Sequence, residues 1–132
     1  MESFTKQSFL AMFYMLLMAT SSLGQLKHKT LVRVTNEVGS DLTVHCKSKD
    51  DDLGMKILHP KGSYEFSFWP NFMLSTLFFC RMGWGQQSHY IDIYIAHRDN
   101  DKCGYNCFWV VKPTGPCMLY PKDKQTCYPW KS

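Results

Sequence analysis

The chain has 132 residues, enough for one small domain and too few for two. Its formal charge of +4 comes from both signs mixed along the chain, which argues against a dedicated nucleic-acid surface, where Lys and Arg cluster on one element. It has no second long apolar run after the N-terminal one, so stable membrane insertion of the mature chain is not expected.

The first stretch, "MESFTKQSFLAMFYMLLMATSSLGQ", has a polar start with Lys6, an apolar run from Phe9 to Ala19, and then Ser21, Ser22 and Gly24. That is the layout of a secretory signal peptide. The run is shorter than the roughly 20 residues of a permanent membrane helix. Ser22 and Gly24 satisfy the small-residue requirement for cleavage, so residues 1–24 are expected to be removed and residues 25–132 to form a single secreted domain.

Along the mature chain the hydrophobic period is two. "TLVRVTN" (30–36) puts Val32 and Val34 on one face, and "LTVHC" (42–46) does the same with Leu42, Val44 and Cys46. "SYEFSF" (63–68) alternates Tyr64, Phe66 and Phe68 against polar neighbours. "HYIDIYIAH" (89–97) sets Ile91, Ile93 and Ile95 inward, with Asp92 outward between Tyr90 and Tyr94. "TLFFCRMGW" (76–84) and "CFWVVK" (107–112) are apolar on both faces, as central strands are. These segments are rich in β-branched and aromatic residues. Polar, Pro or Gly segments separate them: "NEVGSD", "HPKGS", "WPNF", "RDNDKCGYN" and "KPTGP". The expected fold is all-β, a small antiparallel β-sandwich stapled by disulfides.

Cys46, Cys80, Cys103, Cys107, Cys117 and Cys127 all lie in the mature part. An even count behind a signal peptide reads as a disulfide framework, since the secretory route is oxidising. Several connectivities remain open on the sequence alone. "MLYPKDKQT" folds back as a terminal hairpin, which favours pairing Cys117 with Cys127. A Cys103–Cys107 bridge would close a very short loop, so each of these two is expected to join a strand cysteine, Cys46 or Cys80.

Few residues point to chemistry. "DDDLGMKILHP" lacks the alternating carboxylates and terminal Glu of a calcium loop. Cys103 and Cys107 have no partner pair at zinc-finger distance. No nucleophile elbow or Gly-rich phosphate loop is present. Asp92 and Glu65 as a carboxylate pair, or His45 and His97 as an acid–base pair, would suit a hydrolase. All four are also ordinary residues for a solvated sheet face. Trp69 and Trp130, each beside a proline, would suit a sugar-stacking platform. No enzyme activity, cofactor or metal is expected.

The ordered series "HCKSKDDDLG", "YEFSFWPNF", "TLFFCRMGW", "HYIDIYIAHRD", "CGYNCFWVV" and "CYPW" resembles the plant self-incompatibility S-protein homologue family, from about Leu31 to Trp130. The resemblance implies a small secreted β-sandwich. It also implies a ligand-type role like that of the founding member, which meets a pollen membrane protein and stops self-pollen growth. The expected partner is an extracellular or membrane receptor protein, not nucleic acid. In that setting "KSKDDD" is a loop: aspartates bond nearby backbone N–H groups, Gly54 supplies positive φ, and Leu53 pins the loop. The expected partner-binding residues are Lys47, Lys49, Asp50 and Asp51 in this loop, and Arg98, Asp99, Asn100 and Asp101 in the later one.

Overall fold

The computed structural model describes residues 28–71 and 73–132; the proposed leader, residues 1–24, and its cleavage point lie outside them. Among the described residues, nine strands and one short helix follow in order: β1 Thr30–Asn36, β2 Leu42–Lys47, β3 Asp52–Leu58, β4 Ser63–Phe68, β5 Leu77–Trp84, β6 Gln87–Ile95, α1 Ala96–Asp99, β7 Asn106–Lys112, β8 Gly115–Met118 and β9 Thr126–Cys127. They build two facing sheets, β4-β1-β7-β8-β9 and β3-β2-β5-β6. Neighbouring strands are antiparallel except β1 and β7, which run parallel. Most of the chain separates these two, which leaves room for the long crossover that a parallel pair requires.

Period-two patterning becomes burial directly. Val32, Val34, Leu42, Val44 and Cys46 are fully buried between the sheets, while their sequence neighbours face outward. Burying each such Val or Leu side chain contributes about 1.5–3 kcal/mol. Phe66, Phe68, Phe78 and Tyr94 form an aromatic chain across the sandwich, with ring centroids 4.5–5.1 Å apart where the two sheets meet. Trp109, from the centre of the larger sheet, is also enclosed.

Two details depart from simple alternation. In β6, Tyr94 is fully buried, not outward, and Ile95 is only half-buried. The register to β5 slips between Phe78 and Phe79, which face Tyr94 and Asp92, so Ile93 is an extra residue in β6. Such a bulge lets consecutive residues, here Ile93 and Tyr94, turn to the same side. The second departure is β3, which starts inside the expected "KSKDDD" loop and continues over residues to which the alternation assigns no strand. The turn is confined to Ser48–Asp51, closed by Ser48 N donating to Asp51 O at 2.7 Å. Asp52 already pairs with Lys47. β3 escapes the pattern because it is an edge strand, exposed along most of its length.

The cysteines pair as Cys46–Cys80, Cys103–Cys107 and Cys117–Cys127. The terminal pair agrees with the expected hairpin. The expectation that Cys103 and Cys107 each join a strand cysteine is incorrect. Cys46 and Cys80 stand directly opposite on adjacent strands, with Cα atoms 4.0 Å apart, and satisfy each other. The chain after α1 turns tightly through Gly104, at φ +62°, which brings Cys103 and Cys107 to a Cα distance of 4.9 Å. That spacing lies within the normal range for a bridge.

The C-terminal segment ties the sheets together at one side. Tyr128 N donates to Pro116 O on the larger sheet and Lys131 N to Tyr90 O on β6 of the smaller. Trp130 stacks on His89, centroids 4.9 Å apart, and leans on Trp84. One outward carbonyl of the β6 edge, that of Tyr90, is thereby occupied, which makes this edge less open to stray pairing.

Candidate functional site

Strand register brings three connections to one end of the sandwich. Lys47 lies opposite Phe79, Phe79 opposite Asp92, and Leu77 opposite Ile95. The 48–51 turn, the 69–76 connection and the segment from α1 to Gly104 therefore share that end.

The three adjacent aspartates divide their work. Asp52 holds the turn: its Oδ1 accepts from Gly54 N at 2.9 Å and from His45 Nε2 at 2.6 Å, and Lys47 Nζ stands 3.9 Å from Oδ2. The Gly54 N–H, then His45 and Lys47, hold the Asp52 carboxyl below its usual range. Gly54 takes φ +79° where the register between β2 and β3 shifts, so the positive φ belongs to a bulge just after the turn. Asp51 contributes through its backbone, its N–H donating to Ser48 Oγ at 3.1 Å. Lys49 and the side chains of Asp50 and Asp51 are exposed. They make no ion pair among the described residues, and so form a mixed-charge tip on a fixed base.

The second expected segment is corrected by burial. Asp99 is completely buried. Its carboxylate accepts from Ile95 N at 2.8 Å and from the Arg98 guanidinium at 2.6 and 2.7 Å. Arg98 also donates to Asp92 O at 3.0 Å, and its guanidinium lies over the rings of Tyr128 and Trp109. These two residues hold the corner between β6 and β7 and do not offer free charge to a partner. Asn100 and Asp101 do remain exposed. Nothing local in "HRDND" marks this, because the groups that enclose Arg98 come from β7 and the C-terminal segment.

Between the two charged segments lies an apolar feature that turn-spotting overlooks. Trp69, Met73 and Leu74 are 60%, 72% and 45% exposed in the 69–76 connection. Asn71 organises it, accepting from Met73 N at 2.7 Å through Oδ1 while its own N–H donates to Thr76 Oγ1 at 2.6 Å. A run of Phe, Met and Leu directly after Pro-Asn is the sequence signal for an exposed apolar loop.

The residues that suggested chemistry are kept apart. Glu65 lies on the outer face of the larger sheet, paired with Arg33 at 2.6 Å. Asp92 lies on the outer face of the smaller sheet, paired with Lys131 at 2.9 Å. They are on opposite sides of the molecule, beyond any shared substrate. His45 is engaged by Asp52, while His97 stands exposed in α1. Trp69 follows β4 at the loop end, whereas Trp130 packs on Trp84 at the far end of β5, so they make no common platform. All six cysteines are bridged, and among the described residues no cluster of His, Cys, Asp or Glu is able to hold a metal ion. No helix among the described residues is long and apolar enough to cross a membrane.

An open hollow of about 440 Å³ lies on the outer face of the smaller sheet. Gly83 forms its floor, and His45, Met55, Arg81 and Ser88 stand around it. Arg81 is held there by Nε donating to Ser88 Oγ at 2.8 Å and by the Tyr90 ring. Its mixed polar lining adds hydrogen-bonding groups to this face without assembling a nucleophile and base.

Comparison with known proteins agrees with this architecture. The model of the plant self-incompatibility protein S1 family matches residues 31–130. S-protein homolog 5 of Arabidopsis thaliana is 44% identical over 129 residues, covering 96% of this chain and 98% of that protein. S-protein homolog 2 of the same plant is 36% identical, with 94% of each chain covered. A solved structure from the self-incompatibility protein homologues, described as a widespread family of small, highly stable, secreted plant proteins, superposes with a TM-score of 0.61. That match covers 80% of this chain and 97% of the other at 16% identity, and speaks for the shared fold. The chain is therefore a member of the plant self-incompatibility protein S1 family, a secreted disulfide-stapled β-sandwich.

Proposed function

We propose that the protein is a secreted ligand that binds an extracellular or membrane receptor protein through the loops at one end of the sandwich, and that it carries out no catalysis. Residues 1–24 act as the signal peptide in this reading, and residues 25–132 as the single mature domain. The observation that carries it is the fixed charged turn: Lys49, Asp50 and Asp51 project from a base clamped by the Cys46–Cys80 bridge and by Asp52 with His45 and Gly54. A preordered loop loses little conformational freedom on binding, so its charges act on encounter rate and specificity. Asn100 and Asp101, with the exposed Met73 and Leu74, extend the same end into a mixed polar and apolar patch. The family's name makes pollen–pistil recognition the natural biological setting to test.

The test uses labelled, oxidised protein secreted from plant cells. N-terminal mass analysis should find Gln25 first; retention of Met1 to Gly24 would overturn the leader. Saturable binding to pistil or pollen membranes should fall about tenfold or more for Lys49→Glu combined with Asp101→Ala, with melting unchanged. Unchanged binding by this folded variant moves the interface off the loop end.

A further inference from the structure

The two edges of the smaller sheet differ. At the β6 edge the C-terminal segment takes up the Tyr90 carbonyl and Arg98 that of Asp92, whereas β3 pairs with β2 alone. Which backbone groups of β3 are left over follows from the disulfide beside it. Cys46 and Cys80 face each other with Cα atoms 4.0 Å apart, which marks the narrow, non-hydrogen-bonded position of an antiparallel ladder. Strict alternation then points the N–H and C=O of Thr43 and His45 toward β5, and those of Leu42 and Val44 toward β3. Leu42 faces Leu58 and Val44 faces Lys56, so those two β3 residues close the ladder to β2. The N–H and C=O of Met55 and Ile57 consequently point the other way, into solvent. The side chains of the same two residues stand on the outer face, 65% and 61% exposed. Lys56, between them, makes no ion pair with a carboxylate among the described residues, and its Nζ rests 5.9 Å from the Tyr64 ring centroid.

We propose that this edge is a peptide-binding site. An extended segment of a partner protein adds antiparallel beside β3, hydrogen-bonded to the backbone of Met55 and Ile57. Apolar side chains of the segment cover these two residues, and an acidic side chain lies opposite Lys56. Main-chain bonds of this kind supply affinity, and the alternating side chains supply selectivity. A second copy of this chain is a poorer occupant. A two-fold pairing that uses both Met55 and Ile57 sets Lys56 directly against Lys56 of the other copy, a repulsive cross-strand pair. Centring the axis on Met55 brings in Gly54, which at φ +79° bends the strand. Centring it on Ile57 runs the pairing toward Pro60, which has no N–H to give. The site is separate from the loop end and stands independently of the loop reading.

The probe is a capped Thr-Val-Glu-Val-Thr peptide, with Lys replacing Glu as its counterpart, titrated into the oxidised protein and followed by amide NMR. Saturable binding should shift the Met55 and Ile57 amides and slow their exchange, and the Lys peptide should bind about tenfold more weakly. Lys56→Glu should invert that order. Ile57→Pro removes an outward N–H without opening the ladder to β2, so it should lower affinity about tenfold or more with melting unchanged. Met55→Glu, which removes the apolar contact and repels the Glu peptide, should lower the affinity of that peptide likewise and decides the matter if the proline variant does not fold. Absence of saturable binding, affinity unaltered in the folded variants, or shifts confined to residues 48–51 and 96–101 would each overturn the proposal. So would a dimer in sedimentation that the peptide fails to dissociate, since the edge would then belong to a second copy.

Discussion

Arg98 and Asp99, consecutive in the chain, form a two-pronged ion pair at the loop end of the sandwich, with Nε 2.6 Å from Oδ1 and Nη2 2.7 Å from Oδ2. Asp99 is wholly buried and the Arg98 side chain is 18% exposed, its guanidinium lying 4.8 Å from the Tyr128 ring centroid and 5.6 Å from that of Trp109. One carboxylate thus joins the end of β6, α1 and, through Arg98, the faces of β7 and the C-terminal segment.

Removing that carboxylate strands a largely buried cation. Asp99→Ala should destabilise the protein by about 3–5 kcal/mol, because the desolvated guanidinium loses its counter-charge and Ile95 N loses its acceptor. Chemical denaturation of the oxidised protein measures this. A midpoint equal to the parent's would mean that Arg98 finds water or another acceptor.

Phe66 should show the ordinary cost of a core cavity. It is 9% exposed, with its ring 5.1 Å from that of Phe78 across the two sheets. Phe66→Ala is expected to cost about 3–5 kcal/mol. Lys49→Ala, at the exposed turn, should stay within about 0.5 kcal/mol. Thermal melts of the two variants side by side give the contrast, and a neutral Phe66→Ala would contradict the packing described.

The acid limb of stability should report Asp52. Its folded-state pKa is depressed below 3.8 by the Gly54 N–H and by His45. A depressed carboxylate stabilises the fold above its unfolded pKa, and that contribution disappears as pH falls through the folded value. NMR titration should place the Asp52 midpoint below 3.8. Asp52→Ala should melt lower than the parent at pH 6, with the gap closing at lower pH. A gap constant down to pH 2 would show that the side chain acts by packing alone.

The three bridges should differ in worth by the chain each one closes. Sequence separations of 34, 10 and 4 residues rank Cys46–Cys80 first, Cys117–Cys127 second and Cys103–Cys107 last. Chain-entropy reasoning gives about 4, 3 and 2 kcal/mol in that order. Paired Cys→Ala variants measured by denaturation test the ranking. Peptide mapping of the parent should recover the same three pairs, and a crossed pair such as Cys80 with Cys103 would contradict the arrangement.

Buried Asn36 offers a check on the opposite end. Its Nδ2 donates to Ser40 O at 2.7 Å and to Leu58 O at 2.9 Å, while Oδ1 accepts from Val38 N at 2.9 Å. Asn36→Ala leaves these backbone groups without their partner and should cost about 2–3 kcal/mol. Slow amide exchange at Val38 should be lost along with it.

Much of the fold was legible before any coordinates. Val32, Val34, Leu42, Val44 and Phe66 announce their burial by alternation, because a strand sends successive side chains to opposite faces. The hairpin bridge Cys117–Cys127 and the positive φ of Gly54 follow from equally local rules. The six ordered segments also suffice for the family. Other features depended on residues far apart in the chain. Asp99 looks like surface charge until Arg98, Tyr128 and Trp109 enclose it, and charge burial depends on such assembled partners. Tyr94 turns inward through a bulge whose register is set by β5. β3 is a strand because β2 supplies its ladder, although its own exposure pattern resembles a loop. Local periodicity determines which face of an element is apolar. The pairing of distant strands decides which edge is left open, and only the tertiary structure places Met55 and Ile57 there.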